Sequence, residues 1–255
     1  MKVTPLKVFL SYITVILICV ILYFSLPETF SREITFGDSL YFSVVTITTL
    51  GYGDLSPISS AGKTIAATEA LLGVILMGVF LLAVSSQLIE REERKRIDAA
   101  KANLKAQYNA WRQNIMFSLV FLAEPRQGVR SDLAEKLTDV KYFREYFKED
   151  DSARWYSIAN NLTSDSYYSN EIINGIEALQ HHIEIFVTVV RVSDAELLKQ
   201  LTQYVDHLRN MRKRNLDDYD DQKGLMRDLW SILAQWDLSS GDHNKDILLD
   251  VIEKI

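Results

Sequence analysis

Positions 48 to 54 read Thr-Thr-Leu-Gly-Tyr-Gly-Asp, with Gly51 and Gly53 at alternate places. Glycine takes positive φ without a steric penalty. A backbone that alternates its conformation can turn consecutive carbonyl oxygens to one side. Carbonyls so arranged, joined by the Thr49 hydroxyl, can replace the water shell of a bare cation. Other chemically suggestive residues are sparse. Glu69 is the one ionisable residue between Thr64 and Leu88. The pair His181-His182 lacks spaced Cys or Glu partners for a metal. Asp242, Asn244, Asp246, Asp250 and Glu253 fall on calcium-loop positions, but Ile247 stands where that loop needs glycine. No catalytic constellation is evident, so no enzyme activity is expected.

The glycine run must be held by its surroundings, and these are apolar. Leu6 to Leu26 carries no charge after Lys7. About 20 such residues at ~1.5 Å each cross a hydrocarbon core of ~30 Å. A cleaved signal is the rival reading, but no small-x-small site follows Leu26. Thr64 to Leu88 is a second run of spanning length. Lys2 and Lys7 precede the first run, and Glu90-Arg-Glu-Glu-Arg-Lys-Arg96 follows the second. The positive-inside rule therefore predicts both termini in the cytoplasm of a multi-pass protein of the cell (plasma) membrane. Overall the chain has 255 residues, 48% of them hydrophobic, and a net charge of −6. That balance argues against a nucleic-acid partner. Cys19 is the lone cysteine and implies no disulfide.

Between the spans, Phe36 to Leu50 is apolar enough for burial but too short to cross. Such a segment can re-enter the membrane where protein or water covers its backbone. Thr35 and Asp38 have the spacing of a capping box, so a short helix is predicted from near Phe36. It leads into the glycine run. There the chain resembles the selectivity filter of two-transmembrane potassium channels, Thr-Val-Gly-Tyr-Gly-Asp, with Leu50 in place of Val. Thr-Ile-Thr-Thr before the glycines, Leu-Ser-Pro after them and the two flanking spans match as well.

The resemblance implies a homotetramer in membrane lipid, with K+ as permeant ligand and no cofactor. The carbonyls of Thr49, Leu50, Gly51 and Tyr52 and the Thr49 hydroxyl would form stacked cages, each chain giving a quarter. Gly53 supplies the second permissive backbone position. Leu50 alters packing behind the filter and not the ligand set. Tyr52 favours potassium over general cation passage, because non-selective relatives of the pattern lack it. Asp54 is placed at the outer mouth. Gly73 lies where this family often has a hinge glycine, with close packing as the other reading. Met77, Leu81 and Ser85 recur at spacing four and are candidates to line the cavity. Glu69, costly inside a membrane, is expected to bond the pore helix or filter surround and to bear on gating.

The tail is charge-rich and helical. Ile97, Ala100, Leu104, Tyr108, Trp111, Ile115, Ser118 and Leu122 follow alternating steps of three and four. This is a seam for a coiled coil or for packing on the chain's own domain, ended by Pro125 and Gly128. Further helices are predicted at 131–148, 152–162, 170–192, 194–214, 222–237 and 244–254, with a capping box at Ser193-Asp-Ala-Glu196. Ile183 to Val192 also suits a strand. The fold class expected is an all-α membrane protein with an all-α cytoplasmic domain. It divides into a pore domain at 1–88, a post-gate linker helix at 89–125 and a helical domain at 126–255. No partner or ligand of the tail is legible. Against a gated potassium pore stand two rivals, a non-conducting membrane-anchored sensor or scaffold and a subunit of a larger potassium uptake system.

Overall fold

The structure is a computed structural model that describes residues 4–124, 131–148, 153–163, 166–236 and 246–255. The chain divides into two compact units, Met1–Arg94 and Lys95–Ile255. All regular elements among the described residues are helical, apart from an isolated bridge between Phe30 and Pro57.

In the first unit, α1 (Pro5–Ser25) opens with a proline at its first turn, where a missing N–H costs nothing. A 3₁₀ turn, Pro27–Thr29, follows. Helix α2 (Phe36–Ile47) is capped as expected: Asp38 N donates to Thr35 Oγ1 at 3.1 Å, and Thr35 N donates to Asp38 Oδ2 at 2.9 Å. Helix α3 (Ser60–Ala123) runs 64 residues, of which about 20 suffice to cross a bilayer. Leu6, Phe9, Leu17 and Ile21 on α1 and Leu71, Val74, Ile75 and Leu82 on α3 are exposed. Two long helices that bury so little apolar surface need lipid or neighbouring protein around them.

The second unit folds the later part of α3 with α4 (Ser131–Lys136), α5 (Val140–Lys148), α6 (Ala153–Asn161), α7 (Ser166–Val190), α8 (Ala195–Arg212), α9 (Tyr219–Leu233) and α10 (Ile247–Lys254) around one core. Leu104, Tyr108, Trp111, Ile115 and Leu122, with Ser118, are buried there. The predicted seam thus packs on its own unit. Gly175 of α7 permits the close approach, since a Cβ would lie 3.2 Å from Ile115 Cδ1.

Several local expectations change. The helix predicted over 131–148 breaks, because Asp139 Oδ1 accepts from Tyr142 N at 2.8 Å and starts a new helix. Asp194, not Ser193, caps α8 by accepting from Glu196 N and Leu197 N. The β-branched stretch from Ile183 lies in α7, where Ile183, Phe186 and Val190 reach the core at helical spacing. Asp246 caps α10 through Leu249 N at 3.1 Å. Asp242 and Asn244, like Pro125 and Gly128, lie outside the described residues.

Asp246 is also a buried hub. It accepts from Tyr108 Oη at 2.9 Å and pairs with Arg112 at 3.4 Å, both side chains being under a tenth exposed. Burial, then the Asp246 charge, pushes the Tyr108 hydroxyl well above its ordinary range, so it remains a donor. Removing one member of a buried pair leaves the other uncompensated. Asp246→Ala is therefore expected to cost about 3–5 kcal/mol, and Asp246→Asn clearly less. Urea unfolding of the full chain, followed by tryptophan fluorescence, checks this. Equal midpoints for the two variants would contradict it.

Candidate functional site

The site is built at the carboxy end of α2. Thr48 Oγ1 donates to Val44 O at 2.6 Å, and Val45 O accepts from Leu50 N at 2.9 Å and Gly51 N at 3.3 Å. These bonds close the helix and turn the chain back on it. Beyond them, φ is +61° at Thr49, +54° at Gly51 and +79° at Gly53, with Leu50 and Tyr52 between them on the negative side. Every second residue is thus left-handed over five positions. In Thr49 the positive φ is held against a side chain's preference. Leu50 and Tyr52 are exposed, 59% and 68%. Asp54, beyond Gly53, accepts from the Tyr41 hydroxyl of α2 at 2.9 Å. Tyr41 is missing from the sequence reading; its distance of 13 positions from Asp54 gave no periodic signal.

Glu69 of α3 is 1% exposed. Its carboxyl accepts from the Tyr23 hydroxyl of α1 at 2.7 Å and from the Ser43 hydroxyl of α2. One side chain therefore ties both spans to the pore helix. Tyr23, Phe30 and Phe42 pack edge to face, with centroids 5.0 to 5.9 Å apart, and Cys19 joins their cluster. Tyr23 and Ser43 were not among the expected site residues, and only the fold brings them to Glu69.

Gly73 faces the last turn of α2. A Cβ there would run into the Ile47 carbonyl oxygen and lie 2.9 Å from Ile47 Cγ1. The same carbonyl accepts from Tyr12 Oη of α1 at 3.0 Å. Gly78 has nothing within 4 Å of such a Cβ. Met77, Leu81 and Ser85 are exposed on α3. Gly73→Ala is expected to displace the end of the pore helix, an overpacking cost of about 1–3 kcal/mol per chain, and Gly78→Ala to be tolerated. Potassium flux and thermal stability of the two purified variants test this. A silent Gly73→Ala would sink it.

Among the described residues no group of three or more His, Cys, Asp or Glu could hold a metal ion.

The first unit thus holds two apolar helices of spanning length, a capped short apolar helix between them and a glycine run of alternating backbone sign. The family described as Ion channel matches residues 10–90. Two pore potassium channel b of Oryza sativa subsp. japonica is 48% identical over 56 residues, 22% of this chain and 16% of that protein. Two-pore potassium channel 1 of Arabidopsis thaliana is 37% identical over 84 residues, 32% of this chain and 22% of that protein. Calcium-gated potassium channel TvoK of Thermoplasma volcanium is 30% identical over 116 residues, 43% of this chain and 33% of that protein. The chain thus spans a third or less of these relatives' lengths. No solved structure matches it. Residues 10–90 of this chain are thus similar to the ion-channel family, and the relatives that share this stretch are potassium channels.

Proposed function

We propose that four copies of this chain form a potassium-selective pore and conduct K+ passively through the run Thr49 to Gly53. The observation that carries this is the positive φ at Thr49, Gly51 and Gly53, which gives the backbone the alternation a dehydrated cation requires. A single chain can offer one wall of such a site, so the reading requires a tetramer. Asp54, held by Tyr41, marks the outer mouth, and α2 turns its carboxy end toward the cavity, where its dipole favours a cation. Both termini lie in the cytoplasm of a plasma-membrane protein. Gly73, Met77, Leu81 and Ser85 belong to the inner-helix path and gate.

The division proposed is a pore at 1–88, a linker helix at 89–125 whose later part packs into the second unit, and a helical domain at 126–255 that assembles or gates the pore. With the first seam packed in its own unit, a second face of α3 is left for neighbouring copies. Ala99, Asn103, Ala106, Ala110, Gln113 and Phe117 are all exposed and repeat at steps of four and three.

The test is potassium efflux from liposomes that contain only the purified protein, with sodium in parallel. Potassium outpacing sodium by orders of magnitude supports the reading. No potassium flux, with residues 97–255 present or removed, overturns it in favour of a non-conducting anchored sensor.

A further inference from the structure

The second unit holds a cavity of about 560 Å³ between α6 and α9 that nothing in the conduction pathway uses. Its size falls in the range of about 300–1,000 Å³ that small-molecule sites occupy. Trp155 and Trp230 form its inner wall, edge to face at 5.0 Å, and Tyr156 stands at the rim with 59% of its surface exposed. Aromatic faces of this kind accept a flat ring by stacking.

The opposite side is charged, with Arg214, Lys223 and Arg227 beside Asp220. Lys223 and Arg227 are one helical turn apart on α9, and Arg214 reaches in from the segment before it. Arg214 and Arg227 share the single buried carboxylate of Asp228, Arg227 Nη2 at 3.1 Å. Asp221 is 3.8 Å from Arg214, at the limit of an ion pair. Arg214 Nε is buried with no partner among the described residues. The guanidinium lies on bare backbone, because a Cβ at Gly224 would collide with it. A glycine inside a 15-residue helix is a poor helix former, and here it leaves the room that Arg214 fills. Asp220 also lines the cavity and offers an acceptor.

We infer that this cavity binds a flat aromatic anion of the nucleoside-phosphate class. The base stacks against Tyr156 and the tryptophan wall. The phosphate meets the two exposed cations of α9, Lys223, which lies over the Tyr219 ring at 4.0 Å, and Arg227, which shares Asp228 with Arg214. A sugar hydroxyl or amino group donates to Asp220. Guanidinium and ammonium groups beside an aromatic wall select for both halves of such a ligand at once.

The test is calorimetric titration of the full chain in lipid nanodiscs with AMP and ATP, and with adenosine and inorganic phosphate as separate arms. It reads binding alone, so it stands or falls apart from potassium conduction. The expected result is saturable nucleotide binding, at least tenfold tighter than adenosine or phosphate. It should weaken at least tenfold in the exposed double variant Lys223→Glu/Arg227→Glu and in Tyr156→Ala. Circular dichroism confirms folding, and should the double variant fail to fold, Tyr156→Ala decides. Absence of nucleotide binding at millimolar concentration overturns the inference. So does phosphate binding as tightly as nucleotide, or affinity unmoved in the folded variants.

Discussion

Gly51→Ala should abolish selective potassium flux, and Leu50→Val should not. At Gly51 φ is +54°, and a Cβ there meets nothing within 4 Å of its own chain. The penalty is conformational. An L-residue pays about 1–2 kcal/mol to stay left-handed. In the proposed tetramer four copies would bear it together, and relief by moving φ to the negative side would rotate a carbonyl out of the proposed row. A loss of roughly a hundredfold or more in potassium flux follows, since each 1.4 kcal/mol or so is a factor of about ten. Leu50 contributes its carbonyl and lies on the negative-φ side, so shortening its side chain leaves the oxygens in place. Liposome efflux with potassium and sodium compared measures both variants. Wild-type selectivity in Gly51→Ala would refute the carbonyl reading of the site.

Glu69→Ala should be the most destabilising single change in the first unit outside the glycine run. It removes the acceptor shared by Tyr23 and Ser43 and strands two hydroxyls in a site that water does not reach. An unpaired buried polar group costs about 1–3 kcal/mol, and the missing side chain leaves a void as well. Glu69→Gln keeps an acceptor of the same size and should recover most of the loss. Tyr23→Phe removes one donor and should fall between them. Thermal unfolding of the purified protein ranks the three. Because Ser43 belongs to the pore helix, efflux and its decay should change in the same order. A Glu69→Ala protein with native stability and native currents across pH would show that the carboxyl holds nothing.

The sequence by itself determined the parts of this protein whose requirements are local. The capping box of Thr35 and Asp38, the start of α2 at Phe36, the spanning length of α1 and the alternation of Gly51 and Gly53 each involve residues within a few positions. Backbone freedom, hydropathy and helix capping act at that range, so residue types alone reveal them. Helical period also found the face of α3 that carries Leu104, Tyr108, Trp111 and Ile115, but not what would cover it. A period names the buried side, and any apolar partner satisfies it. Tertiary structure decided that the cover is the chain's own α7 and its neighbours. It also decided the partners of single polar groups. Glu69 meets Tyr23 across 46 positions and Ser43 across 26, and Asp246 meets Tyr108 across 138. A buried polar group must be paired, but nothing in linear order says with what. Gly73 carries the same lesson: the sequence marked it as a residue without a side chain, and only the approach of Ile47 gives the physical reason.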